Sequence, residues 1–189
     1  FNNTSINAII PKQTPLRVST RSAICKITEY VNIDKMVEII YYNIKKNLIN
    51  KEDVTYPIIG LKYKSININL NKTPKRKNKS KKVKNKNFYN QVTLIIKPHK
   101  DIRPQNIKFF RNSSISMTGG KNRNDGLCAV IVLLYELKKY PVLLNNDNER
   151  HKLTYSDYRI TLINTDYSIE FNIDRMKLYD ILIKKYKMF

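Results

Sequence analysis

Residues Asn106 to Lys121 constrain the fold of this chain more than any other stretch. They read Asn-Ile-Lys-Phe-Phe-Arg-Asn-Ser-Ser-Ile-Ser-Met-Thr-Gly-Gly-Lys. Two short runs of β-forming residues flank a polar Asn112-Ser113 corner, the pattern of a hairpin. Side chains alternate along a strand, which puts Phe110, Ser114, Ser116 and Thr118 on one side. Phe109, Ile115 and Met117 fall on the other. One side can pack on a core, while the other presents an aromatic ring and small hydroxyl groups.

That second side belongs to a chain with 36 Lys and Arg against 15 Asp and Glu, a net charge of +21. Such a balance speaks about partners, not about fold, and points to polyanions: DNA, RNA or an anionic membrane. Nucleic acid is the expected partner. The 189 residues, 41% hydrophobic, suffice for one good core or two small ones. Cys25 and Cys128 form no Cys-x-x-Cys pair and have no His nearby in sequence, so two buried free thiols in a reducing compartment are expected, not zinc. No metal or other cofactor is implied. The longest strongly apolar run, Cys128 to Tyr135, is too short to span a bilayer. The basic segment has no exposed apolar anchor beside it for membrane binding. No signal peptide is visible, and the first residue is Phe1, as in an excerpt of a longer protein. Acidic residues are sparse (Asp34, Glu38, Asp125, Glu136, Asp174 and Asp180) and lie in helices or loops. They form no pair suited to metals, and no phosphate-cradling glycine loop accompanies them, so an enzyme is not expected.

Phe1 to Pro15 reads as an N-terminal arm. Leu16 to Ile27 reads as a long strand, and Asn32 to Ile49 has helical apolar spacing with Asn32 as N-cap and Asp34 near the positive end of the dipole. Pro57 to Leu70 holds one or two strands, with alternation from Ile66 to Leu70. Lys72 to Lys86 holds nine basic residues and no acidic one, the composition of a solvated, flexible loop. Phe88 to Lys97 is the next strand. Leu127 to Tyr140 is a mostly apolar, buried helix stopped by Pro141. A polar linker leads to a strand at Tyr158 to Phe171 and a helix at Asn172 to Lys187. The words Asn32-Ile33-Asp34-Lys35-Met36 return as Asn172-Ile173-Asp174-Arg175-Met176, each at the start of a helix that follows a strand, which indicates an internal repeat.

This order, with a hairpin ending in Thr-Gly-x-Lys, resembles the TATA-box-binding protein (TBP) family, in the divergent form found in large nucleocytoplasmic DNA viruses. The matching words are Val18-Ser19-Thr20 and Cys25-Lys26-Ile27 in the first strand. Phe110, Thr118-Gly119-Gly120-Lys121 and Tyr140-Pro141 follow at the family's spacing. The resemblance implies an α+β fold: a TBP-like curved antiparallel sheet with helices on the convex face. One complete repeat spans residues 16–141, with a basic flexible insertion at 72–87. A linker at 142–157 leads to the start of a second repeat at 158–189. Without the rest of that repeat, the free strand edge would need another chain or a partner.

The resemblance further implies a transcription initiation factor that binds and bends the minor groove of promoter DNA and recruits RNA polymerase or transcription factor IIB-like factors. Wedging aromatics kink the duplex, unstacking being offset by wrapping bent DNA on more protein. Phe110 takes the place of one wedge, and Phe88 or Tyr89 that of its partner. Val18, Thr20, Ser116, Thr118 and Lys121 take groove-side positions, with Lys75, Arg76, Lys77, Lys81 and Lys82 of the basic loop as phosphate contacts. A viral factory in the host cytoplasm, a virion or a host nucleus would be the place of action. Three positions depart from the family: Leu16 and Leu162 stand where an Asn reads base edges, and Ser116 stands where an apolar residue faces the groove. Together with the basic loop they shift weight from base reading to phosphate contacts. An architectural DNA-packaging protein without sequence choice is the alternative.

Overall fold

The structure, a computed structural model, describes residues 14–50, 56–70, 90–144, 152–169 and 171–187. Seven strands and three α-helices follow in the order β1 (Arg17–Ile27), α1 (Ile33–Asn50), β2 (Ile58–Tyr63), β3 (Ile66–Asn69), β4 (Gln91–Ile96), β5 (Gln105–Phe110), β6 (Ser114–Gly120), α2 (Arg123–Lys138), β7 (Tyr155–Asp166) and α3 (Arg175–Lys184). A short 3-10 turn at Pro141–Leu143 follows α2. The strands form one sheet in the order β3-β2-β4-β5-β6-β1-β7. Every strand pair from β3 to β1 is antiparallel. The fold is α+β, as the TBP-like resemblance implies.

Two compact units make up the chain. The larger is Ser19–Asn164, and its core is built by alternation. The cross-strand row Ile68, Leu61, Leu94, Ile107, Met117 and Ala23 lies on one face. Beside it run Val92, Phe109, Ile115 and Cys25. All but Ile68 are buried. Against this face α1 packs on β2 and β4, and α2 on β5 and β6. The stripe Ile33, Met36, Val37, Ile40 and Ile44 of α1 and the residues Ala129, Val130, Leu133, Leu134 and Leu137 of α2 close the layer. Burying such a stripe is what makes an amphipathic helix stable.

Helix α1 starts as expected, with the Asn32 side chain accepting from the Lys35 amide at 3.1 Å. Helix α2 starts at Arg123, four residues before the expected Leu127, because Asp125 caps the turn: its carboxylate accepts from the amides of Lys121 (2.8 Å) and Asn122 (3.0 Å). Strand β7 starts at Tyr155, not Tyr158, and ends at Asp166, not Phe171. Cys25 is buried as expected, but Cys128 is only half-buried, because its position on α2 lies beside the buried stripe and not within it.

The smaller unit joins Phe1–Val18 with Thr165–Phe189. Arg17 pairs with Asp166 at 2.7 Å, and the Thr14 amide donates to the Ser168 carbonyl at 2.9 Å. Asp174 caps α3, accepting from the amides of Met176 and Lys177.

Candidate nucleic-acid interface

Opposite the helix-covered face, the same alternation gives the sheet a second, polar surface. One row across it reads Asn67, Lys62, Thr93, Lys108, Ser116 and Ile24. A second reads Asn69, Gly60, Ile95, Asn106, Thr118 and Ser22. Gln91 pairs with Phe110, and Lys26 with Ser114, toward the hairpin corner. Lys26, Lys62, Asn67, Asn106, Lys108 and Thr118 are exposed, and most of the others are half-buried. Gly60 leaves room for a neighbouring side chain: a Cβ there would lie 2.8 Å from the Ile95 side chain. None of the strands β1 to β6 contains an acidic residue. On β1 to β6 the face therefore offers cations, amides and hydroxyls with no carboxylate.

The hairpin places its residues as alternation expects. Phe110 is half-buried on the polar face with Ser114, Ser116 and Thr118, while Phe109 and Ile115 are no more than 1% exposed on the other. Its corner is fixed by Ser113 in a left-handed conformation (φ 62°) and by the Asn112 side chain accepting from the Ser114 amide. Arg111, next to Phe110, donates to the Asp34 carboxylate at 2.9 Å and to the Tyr63 hydroxyl at 3.1 Å. Tyr63 and Lys64 also donate to Asp34, at 2.7 and 3.1 Å. Hydrogen bonds from Tyr63, Arg111 and Lys64 hold the Asp34 carboxyl well below the usual carboxylate range. The aromatic end of this face is thus tied to the first turn of α1 and to the β2–β3 turn.

At the other end, Gly119 has φ 117°, a conformation that favours glycine. Lys121 is half-buried, and its carbonyl accepts from the Arg21 guanidinium. Thr20 is half-buried and precedes a register shift between Arg21 and Ser22, so the alternation of β1 does not run unbroken into it. Val18 belongs to the smaller unit, as does Leu16. Leu16 precedes β1, and Leu162 lies within β7; both are exposed. Phe88, Tyr89, Lys75, Arg76, Lys77, Lys81 and Lys82 lie outside the described residues. Sequence reading passed over Lys62, Asn67, Asn69, Thr93, Asn106 and Lys108. Two-residue spacing from Phe110 already marks Lys108 and Asn106, and the alternation of Ile66 to Leu70 marks Asn67 and Asn69.

Among the described residues no three His, Cys, Asp or Glu side chains gather as a metal site. No helix among them is long and apolar enough to cross a membrane.

No family model matches the chain, and no solved structure does. A protein of Acanthamoeba polyphaga mimivirus described as TATA-box-binding protein-like is 34% identical over 181 residues, covering 90% of this chain and 46% of that relative. The chain therefore spans about half the length of the curated relative it matches. With the antiparallel sheet and the helices on one face, this likeness supports the resemblance of the chain to divergent viral TATA-box-binding protein-like proteins.

Proposed function

We propose that the polar face of the sheet binds double-stranded DNA in its minor groove and bends it, in the manner of a transcription initiation factor. The observation that carries this reading is the asymmetry of the sheet. One face is closed by α1 and α2, and the other carries, on β1 to β6, Phe110, hydroxyls, amides and three lysines with no acidic residue among those strands. Phe110 is the wedge at one end of this face, with Phe88 or Tyr89 as its partner. Ser116, Thr118, Thr20 and Val18 approach the groove. Lys121 joins them on the groove side, and the loop residues Lys75, Arg76, Lys77, Lys81 and Lys82 contact phosphates.

Residues 16–141 then form one repeat and 158–189 the start of a second, the repeated Asn-Ile-Asp-Lys/Arg-Met words marking equivalent helices. The exposed aromatics Tyr41 and Tyr42 on α1 and Tyr135 on α2 offer polymerase or transcription factor IIB-like partners a surface. The protein would act where viral or host DNA is transcribed.

A second reading, an architectural binder without sequence choice, is favoured by Lys26, Lys62 and Lys108 on the same face. Cations bind backbone charge and do not distinguish sequences. Binding to a promoter fragment and to its scrambled counterpart at matched salt separates the two, since equal affinity rejects the initiation factor and keeps the architectural protein. Bending is read by energy transfer between labelled duplex ends. Phe110→Ala should lower the bend angle more than the affinity, and an unchanged bend rejects the wedge.

A further inference from the structure

Beside Phe110 the larger unit has an open depression of about 440 Å³, within the ~300–1,000 Å³ of small-molecule sites. Phe110, Ser114 and Ser116 of the hairpin line one side, Lys26 of β1 lies next to them, and Asp157 and Arg159 of β7 line the other. These six of its lining residues bring an aromatic ring, two hydroxyls, two cations and a carboxylate. Among the described residues Lys26, Asp157 and Arg159 form no ion pair with one another.

A backbone feature builds the far wall. Asp157 has φ 54°, a left-handed conformation inside a strand, which is the mark of a bulge that re-aims side chains. Asp157, Tyr158 and Arg159 all border this depression. Tyr158 is held by its hydroxyl, which donates to the Arg123 carbonyl at 3.0 Å. Asp157 and Arg159, two residues apart, share the rim facing the hairpin.

We infer that this depression is a subsite for one extruded nucleotide of the bound DNA. The base lies against the Phe110 ring, and its polar edge meets the Ser114 and Ser116 hydroxyls and the Asp157 carboxylate, which can accept from a base amino or imino group. The flanking phosphate is held by Lys26 and Arg159. The inference rests on the DNA-binding reading above: Phe110 opens a base step, and the adjoining depression receives the base that leaves the stack. Extrusion is least costly for a base that is already mispaired, and stacking on an aromatic ring returns part of the cost for any base.

The test compares two duplexes that differ only in one thymine, paired with adenine in the first and with thymine in the second. The unmodified protein should bind the mismatched duplex about tenfold more tightly, the step being set by the lower cost of unpairing. A wedge alone also gains from a mismatch, so a second arm uses Ser114→Leu, which fills the depression while keeping Phe110. The ratio of the two affinities should then fall toward one, and because it is taken within one variant, a general loss of affinity cancels. Arg159→Gln, on the rim and outside the packed core, should lower the same ratio several-fold. No mismatch preference in the unmodified protein, or a preference that survives both substitutions, overturns the subsite. Failure to bind either duplex overturns the DNA-binding reading itself, a result distinct from binding both equally.

Discussion

Asp34→Asn isolates a charge that ties the hairpin corner to α1 and β2. The carboxylate stands in the first turn of α1 and accepts from Tyr63, Lys64 and Arg111 at 2.7 to 3.1 Å. Three separate pieces of chain meet on it. Its side chain is 45% exposed, so water screens the ion pairs, and their full Coulomb energy does not count. The bond from the buried Tyr63 hydroxyl to a charged acceptor contributes about 1.5 kcal/mol. The exposed Arg111 pair adds about 0.5 kcal/mol. The expected loss at pH 7 is therefore about 2 kcal/mol, which for a chain of this size lowers the melting temperature by about 4–8 °C.

The pH dependence follows from the direction of the shift. The folded carboxyl titrates below its unfolded value, so its stabilisation is complete above the unfolded pKa of about 3.9 and is lost as pH falls toward the folded one. At pH 3, about one unit below the unfolded value, about 1 kcal/mol has gone. Asparagine carries no such charge. Urea unfolding of both proteins should thus differ by about 2 kcal/mol at pH 7 and about 1 kcal/mol at pH 3. Taking the difference between the two proteins cancels the titration of all other groups. A difference that is the same at both pH values refutes the charge as its source, and none at pH 7 refutes the contribution of the whole cluster.

Phe109→Ala, at a fully buried position, should cost about 3–5 kcal/mol in chemical denaturation; a loss under about 1 kcal/mol would mean that the hairpin faces are assigned the wrong way round. Burial pushes the Cys25 thiol up to about 11, so at pH 8 it should react with an aromatic disulfide reagent only as fast as the protein opens. The half-buried Cys128 should react sooner, and two equally fast thiols would contradict the core described here. Replacing Lys75, Lys77, Lys81 and Lys82 by Gln should weaken DNA binding evenly across sequences. It should also flatten the slope of log affinity against log salt by up to about 0.9 for each phosphate that is no longer neutralised, and an unchanged slope excludes the loop from the interface.

Much of the interface was legible because a strand's period of two is decided by neighbours in sequence. Phe109 and Phe110 fall on opposite faces whatever the rest of the chain does. What alternation cannot supply is the order of strands, and the polar face exists only through that order. Lys62, Thr93, Lys108, Ser116 and Ile24 come from five strands and meet through pairings between residues far apart in sequence. The start of α2 was missed for a different reason. Gly126 and a polar first turn weaken the helical pattern, and the capping by Asp125 becomes visible only once its bonds to the amides of Lys121 and Asn122 are seen.

The repeated words Asn32-Ile33-Asp34 and Asn172-Ile173-Asp174 show how far such reading carries. In the first copy Asn32 caps the helix, which begins at Ile33, and this frees Asp34 to bind Tyr63, Lys64 and Arg111. In the second, Asp174 itself caps, and the helix begins two residues later in the word, at Arg175. An aspartate in the first turn can accept from its own helix's amides or from donors elsewhere, and the donors brought to it by the fold decide. Around Asp34, β2 and the hairpin corner supply them. Within the smaller unit Asp174 has helix amides and Lys177 as its partners. The two words thus share a helix start and not a side-chain role, so a function argued for Asp34 does not pass to Asp174 by likeness. The substitution Asp174→Asn should accordingly act as the loss of a helix cap, at about 1 kcal/mol or less because asparagine also caps well, and should leave the hairpin corner and Phe110 unaffected.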